Sequence, residues 1–361
     1  MFVAITNTPR DYAWGSTTLV PSLLGTPVTG EPQAELWLGT HPGSPSRYEG
    51  GLLSDLTTLP FLLKVLGAAS PLSLQAHPTI EQAVAGYARE NALGIPLDAA
   101  NRNYRDELHK PEIIYALTPF RALCGFREAA QTRAAIGRLL AAAPGDAALT
   151  GWIERLRSED DIQPVFAWLL SRGDGVDELL SALVDAASRV DGPHFALVGS
   201  LAEAYPGDPG IAVSLMLNLV TLAPGEALFL PAGNIHAYIE GLGVELMAAS
   251  DNVLRGGLTP KHVDVDELLA VLDFTPLPVP YCAPESLAPG VVAFRPVPDF
   301  QLVRVTEPAA VPLAGEALLL CTRGALVVNG TAVTKGQSYY VADESSLTVT
   351  GEGELFVATR G

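Results

Sequence analysis

The hydrophobic pattern of this chain changes period twice, and few folds accommodate that. Through about residue 117 the apolar stretches are short, alternate with polar residues, and stop at Gly or Pro. Phe2 and Ala4, Ala34–Pro42, Pro60–Leu66, Leu72–Pro78 and Lys110–Leu117 all read as strands, because side chains alternate faces with a period of two. Between Glu128 and Tyr205 the spacing becomes i, i+3, i+4, i+7. Ile136, Leu139, Leu140 and Ala143 follow it, as do Leu149, Trp152, Ile153 and Leu156, then Leu179, Leu180, Leu183, Val184 and Ala187, and finally Leu197, Val198, Leu201 and Tyr205. That is the stripe of amphipathic helices, broken at Pro144-Gly145-Asp146 and Gly173-Asp174-Gly175. Alternation returns at Val213, Leu215, Leu217 and Leu219, which predicts a strand there. The chain is therefore expected to be mainly β with an α-helical insert.

A Pro-rich stretch after Asp273 (Pro276, Pro278, Pro280, Pro284) reads as a linker. Beyond Gly290 short strands recur at hairpin spacing, Leu318–Cys321 and Ala325–Val328 among them, with Asn329-Gly330 as a type I′ turn signal. Tyr339–Val341 and Leu355–Ala358 complete an expected jelly-roll sandwich. The division that follows is 1–125 with 206–272 as one discontinuous domain, 126–205 as a helical insert, and 273–361 as a second all-β domain.

Composition narrows the function. With 22 Lys and Arg against 40 Asp and Glu, the net charge of −18 repels nucleic acid and anionic lipid, so any anionic ligand needs local cations. Three widely spaced cysteines, Cys124, Cys282 and Cys321, offer neither a disulfide framework nor a CxxC metal site, which suits a reducing cytoplasm. The first residues show no secretory signal pattern, and no apolar run approaches the ~20 residues of a membrane span. The expectation is a cytoplasmic monomer acting on a small molecule.

Reactive side chains concentrate between Thr221 and Lys261. Gly225 starts a strand, Pro231 ends it, Gly233 permits a reversal, and His236 begins the next strand. The spacing G-x5-P-x-G-x2-H resembles the second motif of the cupin superfamily, although Glu240 stands where that motif ends in Asn. Gly336–Asp343 is a degenerate copy without His, so the C-terminal barrel is expected to be metal-free. Elsewhere, Ser73, Gln75 and His77 share one face of a strand opposite Leu72 and Leu74, and Lys110 shares a face with Glu112. Taken singly each has a plain reading as a polar strand edge. Two imidazoles, a carboxylate and an amide oxygen together make a plausible N/O site for a divalent ion.

The segments YAWGS, AELWLGTHP, SLQAHP, KPE, PAGNIHAYIEG and ELMAASDNVLRGGLTPK, in that order from Tyr12 to Lys261, resemble the type I mannose-6-phosphate isomerases. The resemblance implies a cupin-type jelly-roll catalytic barrel plus a second C-terminal jelly-roll. It also implies a zinc-dependent aldose–ketose isomerase that interconverts mannose 6-phosphate and fructose 6-phosphate through an enediol(ate). By motif match, one Zn²⁺ falls to Gln75, His77, Glu112 and His236, and the catalytic arginine to Arg255. Other matching pocket positions are Ser73, Lys110, Tyr238, Glu245, Asp251 and Lys261, with no departure at any of them. Lys110 and Glu245 are rival bases, and Lys261 with Ser73 is the candidate phosphate contact. Plainer roles stay open: Glu245 as a partner of Arg255, Asp251 as a turn-orienting group, Tyr238 as core. The remaining histidines, His41, His109, His194 and His262, read as structural or surface groups. The competing readings are another metallo-cupin, such as an iron oxygenase, and a sugar-phosphate-binding cupin without catalysis. The Gln/His/Glu/His set differs from the two-His, one-carboxylate iron triad, and a sensor has no need of Arg255, Lys110 and Glu245.

Overall fold

The strand His236–Ala248 is the spine of the first barrel, and its course explains how one chain builds the site. Its start pairs with Gln75–Ala76 and Phe120–Phe126, its remainder with Phe61–Ala68 and Glu112–Ala116, all antiparallel. The computed structural model describes residues 1–361. Before Gly241 the even-numbered residues His236 and Tyr238 point into the barrel, while Ala237 and Ile239 join the core shared with the helices. After it the parity is reversed: Leu242, Val244 and Leu246 pack outward against the second barrel, and Glu245 points inward. A β-bulge between Tyr238 and Glu240, against Ala122 and Arg121, produces the switch. Gly241 permits it. Its φ is +129°, and a Cβ there would lie 2.8 Å from the Pro119 carbonyl oxygen.

The helical segment is where the periodicity places it. Helices Ala129–Ala142, Ala147–Arg155, Ile162–Leu170, Val176–Ala187 and Pro193–Ala204 bury Leu139, Trp152, Phe166, Leu183 and Leu201 in one core. That core continues into Leu74, Ala76, Ile235, Ala237 and Leu254. The helices thus back the strands that carry Gln75, His236 and Arg255, and hold them from the outside.

The strand expected from Val213 to Leu219 is only partly one. Residues Gly210–Ser214 form a short helix, and the strand is Leu217–Leu222. Ile211, Ala212, Val213 and Leu215 are all buried, so alternation there marks no face. The Asp208 carboxylate accepts the Gly210 N–H at 2.7 Å and favours the helical turn over a strand.

At the other end of the chain, the two strands expected at Leu318–Cys321 and Ala325–Val328 are one strand, Ala317–Val328, with a bulge between Cys321 and Arg323. Asn329 and Gly330 both have positive φ, +48° and +81°, as a type I′ turn requires, and Val328 pairs with Thr331 across it. The Pro-rich connection runs along the first barrel, with the Phe229 N–H donating to the Pro280 carbonyl at 2.9 Å. The opening strand Phe2–Ile5, which the sequence division groups with the first barrel, is hydrogen-bonded to Ser338–Val341 of the C-terminal sheet. The barrels share an apolar interface in which Tyr115 meets Phe294 and Phe356 edge-on, at 5.6 and 4.9 Å between ring centroids.

Candidate metal centre and active site

The pairing of His236 with Gln75, two residues from His77, brings the cupin turn to the polar strand edge. The Gly233 N–H donates to the His77 carbonyl at 2.8 Å and ties the turn down. Both imidazoles are fully buried and oriented by backbone. The His77 Nδ1–H donates to the Asn252 carbonyl at 2.7 Å, and the His236 Nδ1–H to the Asn234 carbonyl at 3.1 Å. These bonds fix the tautomer that leaves each Nε2 with a free lone pair. Both Nε2 atoms lie 3.5 Å from Glu112 Oε2.

Burial pushes the His77 pKa down to about 4, so its ring is neutral at pH 7. Burial pushes Glu112 the other way, but Lys110 and the imidazoles outweigh it and hold the carboxyl well below its usual range. The Lys110 ammonium sits 3.0 Å from Glu112 Oε1. The lone pairs of His77 Nε2 and Glu112 Oε2 therefore converge with no proton between them, and His236 Nε2 faces the same carboxylate oxygen. His77 Nε2 and Glu112 Oε2 are buried without a hydrogen-bond partner. An unpaired buried acceptor costs about 1–3 kcal/mol, and a cation at the point of convergence removes that cost.

The donor set fits zinc. Tetrahedral ligands at about 2.0–2.1 Å from an ion stand about 3.4 Å apart, close to the 3.5 Å spacings seen here. The Gln75 amide lies 3.3 Å from His236 Nε2. Turning it over, an exchange of N and O in nearly the same volume, presents its oxygen as the fourth donor.

Next to these donors lies a second buried constellation. Glu245 accepts from Tyr238 Oη at 2.8 Å and from Lys64 Nζ at 3.0 Å. Glu35 is 3.7 Å from Lys64 and accepts the Trp37 indole N–H at 2.8 Å. Burial raises the Glu245 pKa against the pull of Lys64. For Lys64 itself, burial is outweighed by Glu245, Glu35 and Glu112, and the net shift is upward. Tyr238 is pushed well above its ordinary value by burial and by Glu245, so it remains a donor.

Arg255 stands opposite Gln75 in the pairing of Leu254–Arg255 with Gln75–Ala76, half-buried and in no ion pair with a carboxylate; burial and then Arg105 lower its pKa. Lys261 is depressed by burial, Arg255 and Arg105, which marks a cationic end of the site. Ser73 is half-buried, two residues before Gln75. Asp251 is turned to His41, 3.2 Å away, and that hydrogen bond lowers its pKa.

Thus Gln75, His77, Glu112, His236 and Lys110 come together, and Glu245 and Tyr238 touch each other. The pairing of Glu245 with Arg255 left open by the sequence is replaced by one with Lys64. Lys64 and Asn252 escaped the sequence reading. Lys64 had a visible signal, being the one charge in the buried strand Phe61–Ala68. A cavity of about 80 Å³ behind the cupin turn, between Cys124, Asn234, Thr275 and Pro280, contains none of these groups. No helix is long and apolar enough to cross a membrane.

Fold and donor set define a cupin built around a buried site for a divalent metal. The profile of the type I phosphomannose isomerase catalytic domain matches residues 53–129. The mannose-6-phosphate isomerase of Shigella flexneri is 37% identical over 97% of both chains. The Homo sapiens enzyme of that name is 34% identical over 89% of this chain and 87% of its own. Among solved structures, a variant of phosphomannose isomerase from Salmonella typhimurium superimposes with a TM-score of 0.92 at 35% identity, covering 99% of each chain. A zinc-bound mannose 6-phosphate isomerase does so with a TM-score of 0.91 at 36% identity, again over 99% of each. The chain belongs to the type I mannose-6-phosphate isomerase family.

Proposed function

We propose that this protein interconverts mannose 6-phosphate and fructose 6-phosphate, with one zinc ion held by Gln75, His77, Glu112 and His236. The observation that carries this reading is the convergence of His77 Nε2, Glu112 Oε2 and His236 Nε2 within 4.8 Å of one another, in a chain of that family. Those three donors alone would also suit a two-His, one-carboxylate iron site. The Gln75 amide beside His236, and the family relationship, favour zinc. A zinc ion bound there supplies a Lewis acid for the sugar oxygens.

The reaction moves a proton between adjacent carbons through an enediol(ate), which requires a base at carbon and donors at the two oxygens. Glu245 is the proposed base. Burial raises its pKa and so its basicity, while Lys64 at 3.0 Å favours the ionised, proton-accepting form. Lys110 keeps Glu112 ionised and donates toward the oxygens. Arg255, with no carboxylate partner, stabilises developing negative charge. Lys261 and Ser73 receive the phosphate, a local cationic patch in a chain of net charge −18. Tyr238 orients Glu245, and Asp251 shapes the loop through His41.

The test is turnover of mannose 6-phosphate in D₂O. Deuterium should enter the product at the carbon that receives the proton. Glu245→Gln should lower kcat by about 10²–10⁴ with zinc content unchanged. A Glu245→Gln enzyme of wild-type kcat would remove Glu245 from the base role.

A further inference from the structure

Asn252 is completely buried between the metal-binding strands and the irregular segment that leads to Lys110 and Glu112. Its side-chain Nδ2 donates to the Asp106 carbonyl at 2.9 Å, Asp106 Oδ1 at 3.1 Å and the Leu108 carbonyl at 2.8 Å. Its Oδ1 accepts the Arg105 and Asp106 N–H groups at 2.7 and 3.2 Å. Acceptors surround the nitrogen and donors surround the oxygen, so only one amide orientation satisfies the set. Ser250 tightens the same knot. Its hydroxyl donates to Asp106 Oδ1 at 2.8 Å and accepts the Asn252 N–H at 3.2 Å. The main-chain carbonyl of Asn252 in turn accepts the Nδ1–H of His77.

We propose that Asn252 is a positioning residue for the metal centre. Its carboxamide fastens residues 105–108, and that anchorage holds its own carbonyl where it sets the tautomer and ring plane of His77. The argument is geometric. Residues 101–110 form no helix or strand, so nothing regular holds them in register with the barrel. From Leu108 the chain runs through His109 to Lys110, Pro111 and Glu112. One side chain therefore references two of the metal donors: His77 through a carbonyl, and Glu112 through the segment that delivers it. A lost or rotated carbonyl frees the His77 ring to turn its Nε2 away from Glu112. Groups that orient a metal-bound imidazole through its second nitrogen typically govern affinity by about 10–100-fold.

The inference rests on the zinc reading above, and its test separates the two. Zinc affinity of the chelator-stripped full chain is measured by competition with a chromogenic chelator, alongside the visible spectrum of the Co²⁺-substituted protein. Asn252→Asp is nearly isosteric but turns a carboxylate oxygen toward three acceptor oxygens. It should weaken zinc by about 10–100-fold and alter the Co²⁺ spectrum, while far-UV circular dichroism stays native. A merely structural Asn252 would lower thermal stability and leave affinity and spectrum alone, and that result in Asn252→Asp overturns the proposal. If Asn252→Asp does not fold, Asp106→Ala is the substitute, since it leaves the Asn252 bonds to main-chain carbonyls in place. It should weaken zinc by the same route, toward the lower end of the about 10–100-fold range, and wild-type affinity there overturns the proposal equally. Failure of the wild-type chain to bind zinc contradicts the zinc reading itself.

Discussion

His236 and Arg255 lie close together in the fold but act on different terms of the reaction, and their loss should be separable. His236→Ala removes a nitrogen donor and leaves Glu112 Oε2 facing an empty position, so zinc and activity should vanish together in elemental analysis and assay. Arg255→Ala leaves every metal donor in place. It should retain about one zinc per chain and lose about 10²–10³ in kcat. A fully active Arg255→Ala enzyme would show that the arginine is not part of the chemistry. The donors were legible in the sequence because each sits in a pattern with local meaning: Gln75 and His77 two apart in an alternating stretch, of which only Gln75–Ala76 is a strand, Glu112 two beyond Lys110, His236 at a Gly/Pro turn. Asn252 carries no such local pattern, and the lone charge of Lys64 in an apolar strand names no partner. Lys64 is defined by Glu245, 181 residues away, and Asn252 by Asp106, 146 residues away. Only the closed barrel supplies those partners.

The element that decides the site is the bulged strand His236–Ala248. Strict alternation from His236 would put Glu245 on the opposite face, since nine residues separate them and the period is two. The bulge restores Glu245 to the interior, where it meets Tyr238 and Lys64. Gly241→Ala should therefore do more than strain one residue. A positive φ together with a Cβ 2.8 Å from the Pro119 oxygen should cost about 2 kcal/mol or more in denaturant unfolding. Activity should fall further than zinc content, because the displaced segment carries Glu245 and not His236. Loss of both to the same extent would mean that the bulge serves the metal site instead. Helices were easily read because a 3.6-residue stripe spans many residues. Leu217 and Leu219 lie in a strand as their alternation predicts, but from Val213 to Leu215 the chain is a helical turn, because residues buried on all sides carry no phase and Asp208 holds the turn. The long strand Ala317–Val328 was divided in two for a related reason: its bulge at Cys321–Arg323 breaks the alternation without ending the pairing.

At the scale of the whole molecule, the second barrel contributes no residue to the cluster of His77, Glu112 and His236 but covers a large apolar face of the first. Leu36, Leu63, Ile113, Tyr115 and Val244 pack against Phe294, Phe300, Leu318 and Phe356. Fully burying one such side chain is worth about 1.5–3 kcal/mol, against a total stability of about 5–15 kcal/mol for a domain. We therefore propose the division 1–125 with 206–272, 126–205 and 273–361 as a description of layers within one cooperative unit. A chain ending at residue 272 should fail to fold as a soluble, zinc-binding protein. It would bare that face and leave the strand Phe2–Ile5 without Ser338–Val341. A soluble 1–272 fragment with native zinc affinity would show instead that the first barrel stands alone. The order of strands and helices could largely be read from pattern. The apolar face between barrels could not, because inward- and outward-facing positions look alike when both are buried.

The central claim is that catalysis runs at a zinc ion held by Gln75, His77, Glu112 and His236. Its most direct test is a titration: chelator-stripped protein receives graded Zn²⁺ while turnover of mannose 6-phosphate is followed and bound metal is counted on the same samples. Turnover should rise in proportion to bound zinc and saturate at one ion per chain. Full turnover in samples shown to contain no metal, or none at one bound zinc per folded chain, would contradict it.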